Sequence, residues 1–159
     1  MMKRIFLLVL AGFFCNVGSA EPAVVSALEL QIERVLPTGQ ITVSAQNRGN
    51  EPLRMWRGGN EWGVARWRIV HISNGRLQIY YQNPHQIFTV TSPLFNELSA
   101  AKSVQITLNL NDGFWLPKPK DVKWTSGDTV IAIYDVPASD EAEKYDVWYG
   151  VIAAMAVIP

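Results

Sequence analysis

The stretch "WRIVHISNGRLQIYY", Trp67 to Tyr81, decides the fold class. Two runs rich in β-branched and aromatic residues flank Asn74-Gly75. This dipeptide is the strongest short hairpin signal, because both central residues of a type I′ turn need positive φ. A two-residue loop sets the register: Ser73 opposite Arg76, Ile72 opposite Leu77, His71 opposite Gln78 and Val70 opposite Ile79. Side chains alternate between faces along a strand. One face then carries Val70, Ile72, Leu77, Ile79 and Tyr81. The other carries Ser73, Arg76, His71 and Gln78 near the turn, and Trp67, Ile69 and Tyr80 further away. The first face is the expected core face.

The same texture continues in both directions. Val25 to Leu36, Gln40 to Gln46, Leu53 to Arg57, Gln86 to Thr91, Ser103 to Leu110 and Asp128 to Val136 read as strands, separated by Gly, Pro, Asn and Asp. Asn109 to Asp128 is loop-like around Pro117 and Pro119. Pro137 to Asp146, "PASDEAEKYD", is a polar connection able to form a helical turn. Val147 to Ile158 is a closing strand almost free of charge, and a strand apolar on both faces is expected at the centre of a sheet or packed on two sides. Seven to nine short strands without a long amphipathic helix predict an all-β, antiparallel β-sandwich. A closed β-barrel is the alternative.

Residues 1–20 stand apart. Lys3 and Arg4 precede the uncharged run "IFLLVLAGFF", and Gly18 and Ala20 occupy the small positions of a cleavage site. This is the pattern of a secretory signal peptide, predicting a single domain over residues 21–159 in the periplasm or outside the cell. No later segment has the length and apolarity of a transmembrane helix. Cys15 is the one cysteine and lies in the leader, so disulfides and thiolate metal sites are not expected in the mature chain. Loss of Lys3 and Arg4 takes the 14 basic residues to 12 against 14 acidic ones, a net charge of −2. That balance argues against a nucleic-acid partner.

"VSAQNRGNEPLRMW", Val43 to Trp56, and "VWYGVI", Val147 to Ile152, resemble the exported immunoglobulin-like domains of bacteria. The first matches their strand–turn–strand pattern and the second their aromatic-bearing terminal strand. The resemblance implies an immunoglobulin-like sandwich and carries no activity with it.

Motifs for chemistry are missing. The two histidines, His71 and His85, stand in no catalytic or zinc-binding pattern. The acidic run Asp135 to Asp146 lacks the spacing of a calcium loop. No catalytic residue, metal or cofactor is therefore assigned, and the chain is read as non-enzymatic. Charge is uneven: Arg48 to Arg76 carries a net +4 and Asp112 to Asp146 a net −4, patches that could steer a partner or neutralise each other.

Tryptophan supplies the remaining signal. Trp56 and Trp148 are expected in the core. Trp62, Trp115 and Trp124 fall in Gly- or Pro-bearing connections, where they either form an exposed aromatic platform or plug the end of the sandwich. Arg57, Arg66 and Lys120 could add cation–π contacts to such a platform, with Glu61 beside it and Trp67 on the outer hairpin face. The leading expectation is a protein partner, with the chain acting as inhibitor, immunity factor or accessory subunit. One alternative is a carbohydrate-binding module or small glycan-active protein using the loop tryptophans. The other is a structural domain that self-associates through Trp67, Ile69 and Tyr80.

Overall fold

At the hairpin turn, Asn74 and Gly75 both adopt positive φ, 48° and 73°, as a type I′ turn requires. In the computed structural model, which describes residues 27–58, 63, 66–83, 93–119 and 122–159, this turn joins β4 (Trp67–Ser73) to β5 (Arg76–Gln82). The register is the expected one, from Ser73 opposite Arg76 to Val70 opposite Ile79.

The other described strands are β1 (Leu28–Val35), β2 (Gln40–Asn47), β3 (Leu53–Trp56), β6 (Phe95–Leu98), β7 (Ser103–Asn109), β8 (Trp115–Leu116), β9 (Thr129–Val136) and β10 (Gly150–Val157). A short helix, α1 (Asp140–Lys144), fills the polar connection; Ser139 caps it, its hydroxyl accepting from the Ala142 N–H. The sheets are antiparallel and not closed into a barrel: β1-β2-β7, β10-β9-β4-β5-β8 and the pair β3-β6. The expected strand at Gln86 to Thr91 lies outside the described residues, as does the segment 1–20 expected to be a signal peptide. β6 and β8, of four and two residues, carry too little alternation to stand out in the sequence.

The core forms where the sheets face each other. Ile41, Val43 and Ala45 of β2, Leu28 and Leu30 of β1 and Leu108 of β7 meet Val130, Ala132 and Tyr134 of β9. Each of the valine, leucine and isoleucine side chains contributes about 1.5–3 kcal/mol on leaving water. No disulfide assists, since the sequence has one cysteine. At one end Asn47, fully buried, donates through Nδ2 to the Glu51 and Leu98 carbonyls. It accepts the Gly49 N–H, so the turn after β2 is tied to β6 by one side chain.

The hairpin turns its other face inward. Trp67 is only 3% exposed and Ile69 is fully buried, with Tyr80 packed beside them, whereas Leu77, Ile79 and Tyr81 face solvent. The expected core face is thus the outer face. Away from the turn both faces are largely apolar, and the inward one carries the larger rings, Trp67 packing at 4.9 Å on its cross-strand neighbour Tyr134 within the core. The polar residues that suggested an outer face sit at the end of the sandwich. There His71 is held by Asp128 at 2.9 Å and meets the Trp124 ring edge-on at 4.6 Å, while Arg76 and Gln78 are exposed.

β10 also departs from expectation. It is the edge strand of the five-stranded sheet rather than a central one. Ile152, Ala154 and Ala156 face the core, while Val151, Met155 and Val157 are left outside.

Candidate interaction surface

The strand registers place one set of side chains together on the outer face of the five-stranded sheet. Tyr81, Arg68, Ile133 and Ala153 form one row across β5, β4, β9 and β10; Ile79, Val70, Ile131 and Met155 form the next; Leu77, Ile72, Thr129 and Val157 the third. Val151 extends the face beside Asp135. Six of these apolar side chains, Leu77, Ile79, Tyr81, Val151, Met155 and Val157, are 44–70% exposed. Together they leave on the order of 600 Å² of apolar surface uncovered, at the upper limit of what a soluble monomer carries in one patch.

The opposite outer face is built differently. On β1-β2-β7 the outward positions are Glu29 and Gln31, then Thr42, Ser44 and Gln46, then Ser103, Gln105 and Thr107. Every one is polar. One sheet therefore has the hydrophobic-in, polar-out alternation of a solvated antiparallel sheet, and the other does not.

The charged strand residues of the apolar face are Arg68 and Asp135. Their side chains form an ion pair, Nη2 to Oδ2, at 2.7 Å. It joins the basic segment to the acidic one, so the two patches seen in the sequence partly neutralise each other. Arg48 pairs with Glu29, and Arg54 pairs with Glu97 at 2.9 Å while donating to the Tyr145 carbonyl and lying over the Phe95 ring.

Two of the three loop tryptophans lie in the core. Trp115 is 1% exposed, and its Nε1–H donates to the Asn109 carbonyl at 2.9 Å. Trp124 is 6% exposed. They plug the sandwich and are not displayed, which corrects their assignment as contact residues. Trp67 is corrected in the same way. Each ring buries more surface than any neighbour could, and the inter-sheet space of a disulfide-free fold accommodates it. Trp62 and Glu61 lie outside the described residues, as does Lys120. Arg57 is exposed after β3, its N–H bonded to the Leu94 carbonyl. Arg66 is half-buried, its carbonyl accepting from the Asp135 N–H and its charge close enough to act on Tyr134. Trp56 is buried as expected, and Trp148 is partly buried, stacked at 6.0 Å on Tyr134.

Among the described residues, the one pairing with catalytic residue types is His71 with Asp128. The Asp128 carboxylate lies well below the usual carboxylate range because it accepts from the Ser73 hydroxyl, the Thr125 N–H and His71. A nucleophile–base pair would need Ser73 bonded to His71. Here both are bonded to the same carboxylate, which anchors the hairpin to the turn before β9. Among the described residues no group of three or more His, Cys, Asp or Glu could hold a metal ion, and no helix is long and apolar enough to cross a membrane.

Compared with known protein families, curated proteins and solved structures, the chain matches none.

The surface residues Leu77, Ile79, Tyr81, Val151, Met155 and Val157 were absent from the sequence-derived site. Leu77, Ile79 and Tyr81 lay on the hairpin face expected in the core, and Val151, Met155 and Val157 on a closing strand apolar on both faces and so expected to be covered.

Proposed function

We propose that the chain is an exported, non-enzymatic binding domain of immunoglobulin-like type that recognises a protein partner through the outer face of its five-stranded sheet. The observation that carries this reading is the asymmetry of the two outer faces: one wholly polar, the other apolar over three rows but for Arg68 and Thr129. Interface centres are depleted in charge and enriched in aromatic residues and methionine, and Tyr81, Met155 and the aliphatic residues around them have that composition. The glycan reading is weakened, since Trp115 and Trp124 offer no ring face to a sugar.

The test uses the full chain, expressed with its leader and recovered from the periplasm, as bait in an extract of its own cells. The expected result is a stoichiometric protein partner held by the wild type and lost by the Ile79→Glu, Met155→Glu double variant. Equal retention by both baits would remove the outer face from the proposal. A tryptophan-fluorescence titration with cell-wall glycans is expected to show no shift.

A further inference from the structure

We infer that the occupant of the apolar face is a second copy of this chain, packed face to face about a twofold axis. The inference rests on the reading of that face as a protein interface and names the partner.

Area is the first argument. The uncovered apolar side chains, with Arg68 set among them between Tyr81 and Ile133 and with Asp135 and Thr129 toward the row ends, approach the roughly 800 Å² per partner of a standard-size interface. Twisted sheets of this kind stack about 10 Å apart with strand directions within about 30°, so one such face can pack on another.

Charge is the second. A twofold interface sets a patch against itself, and any net charge on it would be repeated across the axis. Here the charged strand residues of the face, Arg68 and Asp135, cancel within one copy at 2.7 Å. Copies can therefore approach without like-charge repulsion. A heterologous partner would gain register and encounter rate from a patch of one sign, which this face does not offer. A lipid surface would favour cations left unneutralised at the rim, whereas Arg68 is paired with Asp135.

The test is the mass of the purified full chain by light scattering and sedimentation across a wide range of concentration. The expected result is twice the protomer mass, with the Ile79→Glu, Met155→Glu variant dissociating at concentrations on the order of a hundredfold higher or more than the wild type. Gln105→Glu, on the polar outer face, is expected to leave the dimer intact. Circular dichroism and thermal unfolding establish that the variants are folded. Val151→Glu, at the far end of β10, takes the place of the double variant if that does not give soluble protein. A wild-type monomer at every concentration overturns the inference, and so does a dimer that the face variants leave unchanged. A monomer that still captures a partner through this face overturns the second copy alone. A monomer without face-dependent capture overturns the binding reading as well.

Discussion

The hydroxyl oxygen of Tyr134 accepts a hydrogen bond from the backbone N–H of Trp56 at 2.9 Å. Tyr134 belongs to β9 of the five-stranded sheet and Trp56 to β3 of the two-stranded one, so a single side chain bonds one sheet to the backbone of another. Tyr134 is fully buried between Trp67 and Trp148, and burial pushes its phenol well above its ordinary value.

Replacing Tyr134 with Phe removes the acceptor and keeps the ring. The expected cost is about 1–3 kcal/mol, the penalty for a buried N–H deprived of that partner, measured as a lower urea midpoint at neutral pH. The raised phenol pKa adds an alkaline signature. The folded chain holds the phenol neutral, while the unfolded chain ionises it near pH 10, so its contribution is complete below pH 10 and is lost as pH rises further. The wild type is expected to lose stability more steeply above pH 10 than Tyr134→Phe. Equal slopes would show that the phenol does not remain protonated in the fold.

Asp128 gives an acid-side prediction. Its carboxylate is lowered first by Ser73, then by the Thr125 N–H and His71. Stability from this depressed group is present above the unfolded value near 3.8 and is lost as pH falls from there toward its folded value. Asp128→Asn is expected to be less stable than wild type at neutral pH and to lose less on acidification below about pH 4. The measurement is the urea midpoint against pH; parallel curves would contradict the assignment.

The reversed hairpin faces can be checked by adjacent truncations. Ile69 is fully buried, and Leu77 is 61% exposed. Ile69→Ala is expected to cost about 2–5 kcal/mol. Leu77→Ala, which opens no core cavity, is expected to remain within about 0.5 kcal/mol in the monomer. The opposite ranking in denaturant unfolding would restore the face expected from polarity.

Gly75 holds φ of 73° at the turn, with open space around it. A methyl group there meets no neighbour, so any loss from Gly75→Ala is backbone strain, expected near 1 kcal/mol. Calorimetry of the variant should show the lower melting temperature without a change in the exposure of Trp67.

Much of the fold was readable because its causes are local. The Asn74-Gly75 turn, its register and the alternation of β2 and β9 depend on backbone preference and on a period of two, both present in short windows. The candidate surface was harder to see. Val151, Met155 and Val157 are the alternate residues of a strand that is apolar throughout, and composition alone cannot distinguish an uncovered face from a covered one.

By itself the sequence determined an all-β antiparallel chain, its hairpin pairing and the need for a large core in the absence of disulfides. Only the tertiary structure decided which face of that hairpin is inside. A period of two separates two faces without saying which is which. The choice belongs to the opposing sheet, against whose apolar face Trp67, Ile69 and Tyr134 are buried while Leu77, Ile79 and Tyr81 are left outside. Burial of the apolar face with the better-fitting rings outweighs placing every polar residue in water, because His71 at the core's end is satisfied by Asp128.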